Sequence, residues 1–205
     1  MVVATQRRIV SHSVGKSDCW RVAYGFIARG EPHRAAEVCE QHPCSDVIEC
    51  QRYLGWTYYQ KSEYTKSLAW FMKAAAEHDG DACFGIGSVN FVQRHFDVAL
   101  RYFEQAASLG YARAFHWIAY MYHQGLGVPR NLDLAVTYYQ KAASKGFVVA
   151  DRALIHIRWQ TGGVFARILM LPRLARLTVK TLLMAGRDIN DPRIADVPNA
   201  FHKRK

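Results

Sequence analysis

Two residue patterns recur along this chain at one spacing, and that recurrence restricts the possible folds more than any other feature. Ser67-Leu-Ala-Trp-Phe-Met-Lys-Ala-Ala75 aligns without gaps with Ala99-Leu-Arg-Tyr-Phe-Glu-Gln-Ala-Ala107 and with Ala135-Val-Thr-Tyr-Tyr-Gln-Lys-Ala-Ala143. In a second set, Cys50, Ala82, Ala114 and Ala150 are each followed four residues later by Leu54, Ile86, Ile118 and Leu154. The next positions are Gly55, Gly87, Ala119 and Ile155, and successive units lie 32, 32 and 36 residues apart. A fixed period of this length is the mark of one supersecondary unit stacked on copies of itself.

Apolar and small residues at i, i+4 and i+5 form one stripe of an amphipathic helix. Small residues such as Gly55, Ala74 and Ala106 let a neighbouring helix come close, and aromatics such as Trp70 and Tyr102 are expected to fill the wedge between pairs. Gly80, Gly110 and Gly146 are expected to end each unit in the left-handed conformation. The unit is therefore a helix, a short turn and an antiparallel helix. One such hairpin cannot bury its own apolar face, so the units must stack.

The stretch Ala114-x-x-x-Ile118-Ala119-x-x-Tyr122-x-x-Gly125-x-Gly127-Val128-x-x-Asn131, continuing through Ala135, Tyr138, Tyr139, Lys141, Ala142 and Ala143 to Gly146, resembles a Sel1-like repeat. That repeat is the longer-looped relative of the tetratricopeptide repeat. The units at 46–80 and 81–110 have shorter connections, Gln60-Lys-Ser-Glu63 and Gln93-Arg-His95, and resemble ordinary tetratricopeptide repeats there. Ser17–Arg29 and Pro32–Gln41 resemble a degenerate capping pair.

The resemblance implies an all-α, right-handed solenoid of antiparallel helix pairs over 17–160. A 1–16 extension would precede it. Basic capping or membrane-docking amphipathic helices at 161–187 and a flexible basic tail at 188–205 would follow. Proteins of this family act as adaptors in larger complexes, in bacteria often in signalling or in envelope and surface-polysaccharide production. The implied function is thus a non-enzymatic adaptor for a protein or peptide. An accessory or regulatory subunit of an enzyme complex is the alternative.

Candidate chemistry is sparse. Gly125-Leu-Gly127 and Gly85-Ile-Gly87 lack the preceding strand and the Gly-Lys-Ser/Thr that phosphate-binding loops need, so no nucleotide cofactor is expected. Cys39-x-x-His42-x-Cys44, near Cys50 and His33, has metal-ligand residue types but no second short Cys/His pair, and reads as buried thiols beside a turn histidine. No catalytic residue, cofactor or metal ligand is assigned. The odd count of five cysteines favours free thiols in a reducing compartment, hence a cytoplasmic expectation. Repeat arrays line a groove with the first helix of each pair, which makes Trp56, Tyr59, Phe91, His116, Tyr120 and His123 both core residues and groove candidates.

The positive charge is concentrated at the end of the chain. Net charge is +10, and residues 151–205 carry 11 basic against 4 acidic side chains. No acid occurs from Arg152 to Arg187. Pro172 suits the first turn of a helix running to about Ala185. Arg173, Arg176, Lys180 and Arg187 make a basic stripe on it, preceded by Arg167, beside a wide apolar sector. This helix either caps the open end of the array or lies in the plane of an anionic membrane, or docks on an acidic or membrane protein. Nucleic acid is disfavoured, since Phe165 alone among aromatics sits in the basic segment 161–187.

Overall fold

The structure, a computed structural model, describes residues 15–76, 78–161 and 164–187. The proposed extension at 1–16, apart from its last two residues, and the tail at 188–205 lie outside the described residues. So do the side chains of Arg167 and Arg187. The described residues are all-helical, with ten α-helices and no strand. They fall into two compact units that divide after His78.

The first unit holds α1 (Cys19–Ala28), α2 (Pro32–Glu40), a 3-10 turn (Cys44–Asp46), α3 (Ile48–Gln60) and α4 (Tyr64–Ala75). The second holds α5 (Gly80–Val92), α6 (Phe96–Ser108), α7 (Ala112–Gln124), α8 (Leu132–Ser144), α9 (Val148–Thr161) and α10 (Val164–Arg187). From α1 to α8 each helix packs most heavily on its hairpin partner, as α3 does on α4 and α5 on α6. Contacts from α6 to α7 and from α8 to α9 then carry the stack onward. This is the stacked-hairpin architecture the repeat requires.

Five of the turns share one backbone device. At Gly30, Ser62, Arg94, Gly110 and Gly146 the chain turns left-handed. Each of these N–H groups donates to the carbonyl three residues back, and the next residue's N–H donates to the carbonyl five back. Arg94 thus donates to Phe91 at 3.0 Å and His95 to Asn90 at 2.9 Å. This arrangement satisfies carbonyls that a helix end leaves open.

The expectation for Gly80 is corrected here. The left-handed residue stands three positions after the second alanine of each pair, which places it at Gly110, Gly146 and His78, with φ of 58° at His78. Gly80 instead opens α5, where a Cβ would lie 3.3 Å from Cβ of Tyr111. The small residue is there for proximity and not for the turn.

Two further expectations change. The residue that fills each wedge is the second aromatic of the pair: Phe71, Phe103 and Tyr139 are buried. Trp70, Tyr102 and Tyr138 are half-buried, with Lys73 over Trp70 and Lys141 over Tyr138. Pro172 also does not begin a helix. It lies inside α10, which starts at Val164. A proline lacks one helical N–H, and the two turns before it already run helical, so the helix continues through the loss.

The cysteines depart from the free-thiol expectation. Cys19 and Cys44 are joined in a disulfide, with Cα atoms 5.3 Å apart. The α1–α2 hairpin folds the 3-10 turn back onto the start of α1 and closes a 25-residue separation. Cys39, Cys50 and Cys83 are free and buried. Cys19, Cys39, Cys44 and Cys50 all belong to the first unit's core, together with Tyr53 and Leu54. The Cys39 thiol is pushed up by its hydrogen bond with Cys50 and then by burial, so it stays protonated. Disulfides persist in oxidising surroundings, so the cysteine count no longer argues for the cytoplasm.

Candidate cleft in the second unit

The array's own periodicity positions the site. Ala114, Ile118 and Ala119 turn one face of α7 into the core, and Ala150 and Ile157 do the same for α9. The residues between these positions are therefore carried to another face of the same helices. There α7, α8, α9 and α10 enclose a cleft of about 690 Å³. From α7 it takes His116, Tyr120, His123 and Gln124, and from α8 Tyr139. Arg152, His156 and Trp159 of α9 form one wall, and Leu171, Leu174, Leu177 and Thr178 of α10 form another.

The walls are aromatic and weakly basic. The His116 ring is buried, 5.2 Å from the rings of Tyr139 and Phe147. His123 lies edge-on to Tyr139 at 6.4 Å. Burial, then the charge of Arg130, then His156, hold His123 below the usual histidine range. Nε2 of His156 shares a hydrogen bond of 2.9 Å with the Gln160 amide. The indole of Trp159 is partly open to solvent.

Of the six residues singled out from the sequence, His116, Tyr120 and His123 come together at this cleft. Phe91 lies instead in an aromatic cluster, 4.8 Å from Trp117 and 5.4 Å from Phe96. Trp56 is buried against Phe71 at 5.0 Å, which makes it core. Tyr59 is half-buried between Trp56 and Tyr64, and burial, then Tyr64, push its hydroxyl up to about 12. Sequence reasoning missed the contribution of Arg152, His156, Trp159, Leu171 and Leu174. The signal available was the Ala150–Leu154 recurrence, which marks α9 as another first helix.

A smaller cleft of about 380 Å³ opens between α9 and α10, lined by Gln140, Asp151, Leu154, Ile155, Arg158, Arg173, Arg176, Leu177 and Lys180. Nζ of Lys180 stands 3.9 Å from Asp151. Among the described residues no group of three or more His, Cys, Asp or Glu side chains is placed to hold a metal ion. No helix among them is long and apolar enough to cross a membrane.

Residues 81–111 and 112–147 match the Sel1 repeat family. The unit at 81–110 is therefore a Sel1 repeat despite its short connection, which corrects its reading as an ordinary tetratricopeptide repeat. No curated protein matches the chain significantly. Among solved structures it is similar to c5321, a protective antigen of uropathogenic Escherichia coli strains that displays an SLR fold. That likeness has a TM-score of 0.68 and 22% identity over 80% of this chain and 38% of the other. It is also similar to a Sel1 repeat protein from Oxalobacter formigenes, with a TM-score of 0.58 and 25% identity over 68% of this chain and 62% of that one. MamA is similar at a TM-score of 0.58 and 19% identity, over 78% of this chain and 96% of its own. The chain thus spans less than two thirds of the length of the first two. Sel1 repeats mediate binding to protein partners and are generally non-catalytic. Residues 81–147 thus hold two Sel1 repeats, a repeat of the tetratricopeptide-like superfamily, within an all-helical stack of hairpins whose fold is that of solved Sel1 repeat structures.

Proposed function

We propose that this chain is a non-enzymatic adaptor that holds a segment of another protein in the cleft between α7, α9 and α10. The observation that carries the reading is the composition of that cleft. Tyr120, His123 and Trp159 offer rigid aromatic anchors beside the apolar side chains of Leu171 and Leu174. Aromatic anchors in a concave, largely apolar site dominate protein recognition. If the captured protein is an enzyme, the same cleft makes this chain its accessory subunit.

The test places a photo-crosslinking amino acid at Tyr120 in the full chain within its source cells, with the exposed Thr137 as control position. The expected result is a discrete protein adduct from Tyr120 and none from Thr137. Purified, that protein is expected to lose about tenfold or more in affinity for Trp159→Ala. Equal adducts from both positions, or an affinity indifferent to Trp159→Ala, would rule the cleft out.

A further inference from the structure

We infer that the outer face of α10, with the basic cleft beside it, docks on an anionic lipid surface and takes phospholipid headgroups between α9 and α10. Arg176, Val179, Lys180 and Leu183 stand at i, i+3, i+4 and i+7, which is one stripe of a helix. All four are exposed, Val179 at 55% and Leu183 at 65%, and Leu182 next to them at 71%. Among the described side chains of α10 Leu177 is the buried one, and α10 packs on α9. The helix is therefore seated through one side and leaves apolar and cationic groups together on another.

The cleft supplies the matching charge. Arg158 of α9 joins Arg173, Arg176 and Lys180 of α10 around Asp151, which is the acid among the described lining residues. A soluble polyanion would satisfy these cations and leave Val179, Leu182 and Leu183 in water. An anionic bilayer accepts both, the apolar side chains entering the acyl boundary while the cations reach phosphates. Arginine forks also favour phosphate oxygens. The inference is independent of the protein-binding cleft, because Trp159 has no part in it.

The test is co-sedimentation of the full chain with vesicles of phosphatidylglycerol and phosphatidylcholine in equal parts, and with vesicles of phosphatidylcholine alone. The chain is expected to bind only the former. Arg176→Gln with Lys180→Gln is expected to weaken binding about thirtyfold. Val179→Ser with Leu183→Ser is expected to weaken it about tenfold or more. Both pairs are exposed, so circular dichroism should be unchanged, and Trp159→Ala should bind vesicles as the native chain does. Absence of binding to the anionic vesicles would overturn the inference. So would binding that survives Val179→Ser with Leu183→Ser, or binding that free inorganic phosphate or polyglutamate abolishes, since each marks a site for a soluble anion.

Discussion

Gly87 lies flat against the ring of Phe103: a Cβ on Gly87 would stand 2.7 Å from Cδ1 and Cε1 of that ring. Gly55 meets Phe71 in the same way, at 2.6 Å. In the third unit Ala119 holds the equivalent place and Tyr139 the equivalent ring, both in one core cluster. Each hairpin thus closes by setting a small residue of its first helix against the second aromatic of its partner. Phe103 has no room to retreat, since Phe84 and Trp117 pack around it at 5.3 and 6.0 Å. Gly87→Ala should therefore destabilise the second unit by about 1–3 kcal/mol through overpacking, despite alanine's better helix propensity. A denaturant midpoint at or above that of the native chain would show that the ring can move aside.

Arg94 occupies the left-handed turn position that glycine holds at Gly110 and Gly146, with φ of 64°. A side chain in that conformation costs about 1–2 kcal/mol relative to glycine. Arg94 is exposed, so its substitution removes no packing. Arg94→Gly is expected to raise the stability of the chain by about 1 kcal/mol once glycine's greater unfolded-state entropy is counted. Thermal unfolding checks this, and Ser62→Gly, with φ of 60°, should behave alike.

The hairpin contacts were legible because a small residue facing a ring leaves a trace in the sequence every 32 to 36 positions. Other features leave no such trace. Adjacent aromatics such as Tyr102 and Phe103 differ by only about 100° around a helix, so the pattern could not say which one points inward. His78 takes a left-handed turn, yet Gly80 two residues on attracted the assignment because glycine is the usual residue there. The cleft was half-read for a related reason. His116, Tyr120 and His123 belong to one recurring helix, whereas Trp159, Leu171 and Leu174 reach it from α9 and α10 through tertiary packing.

The Cys19–Cys44 bond was hidden because its partners are 25 residues apart and share no motif. Closing a loop of that size constrains the unfolded chain and typically contributes about 2–4 kcal/mol. Cys44→Ser is expected to lower the stability of the first unit by about that amount, and reduction of the native chain should do the same. Alkylation under denaturing, non-reducing conditions should label Cys39, Cys50 and Cys83 and spare Cys19 and Cys44. Five labelled cysteines would mean that the bond is absent from the purified protein.

His123 makes the stability of the second unit depend on pH in a definite direction. In the fold its imidazole is held below the usual histidine range by burial first, then by Arg130 and His156, so the fold favours the neutral ring. In the unfolded chain the ring protonates near pH ~6.5. The unfolded state therefore binds more protons as pH falls, and stability declines with it. His123's contribution is complete above the unfolded value and is lost as pH drops through the lower folded value. Tyr139 faces the ring edge-on and adds no charge near neutrality. His123→Gln should remove this component, so the variant ought to lose less thermal stability than the native chain between about pH 7.5 and about pH 5. Parallel losses in the two proteins would show that protonating His123 costs the fold nothing, and would place the acid sensitivity elsewhere in the unit.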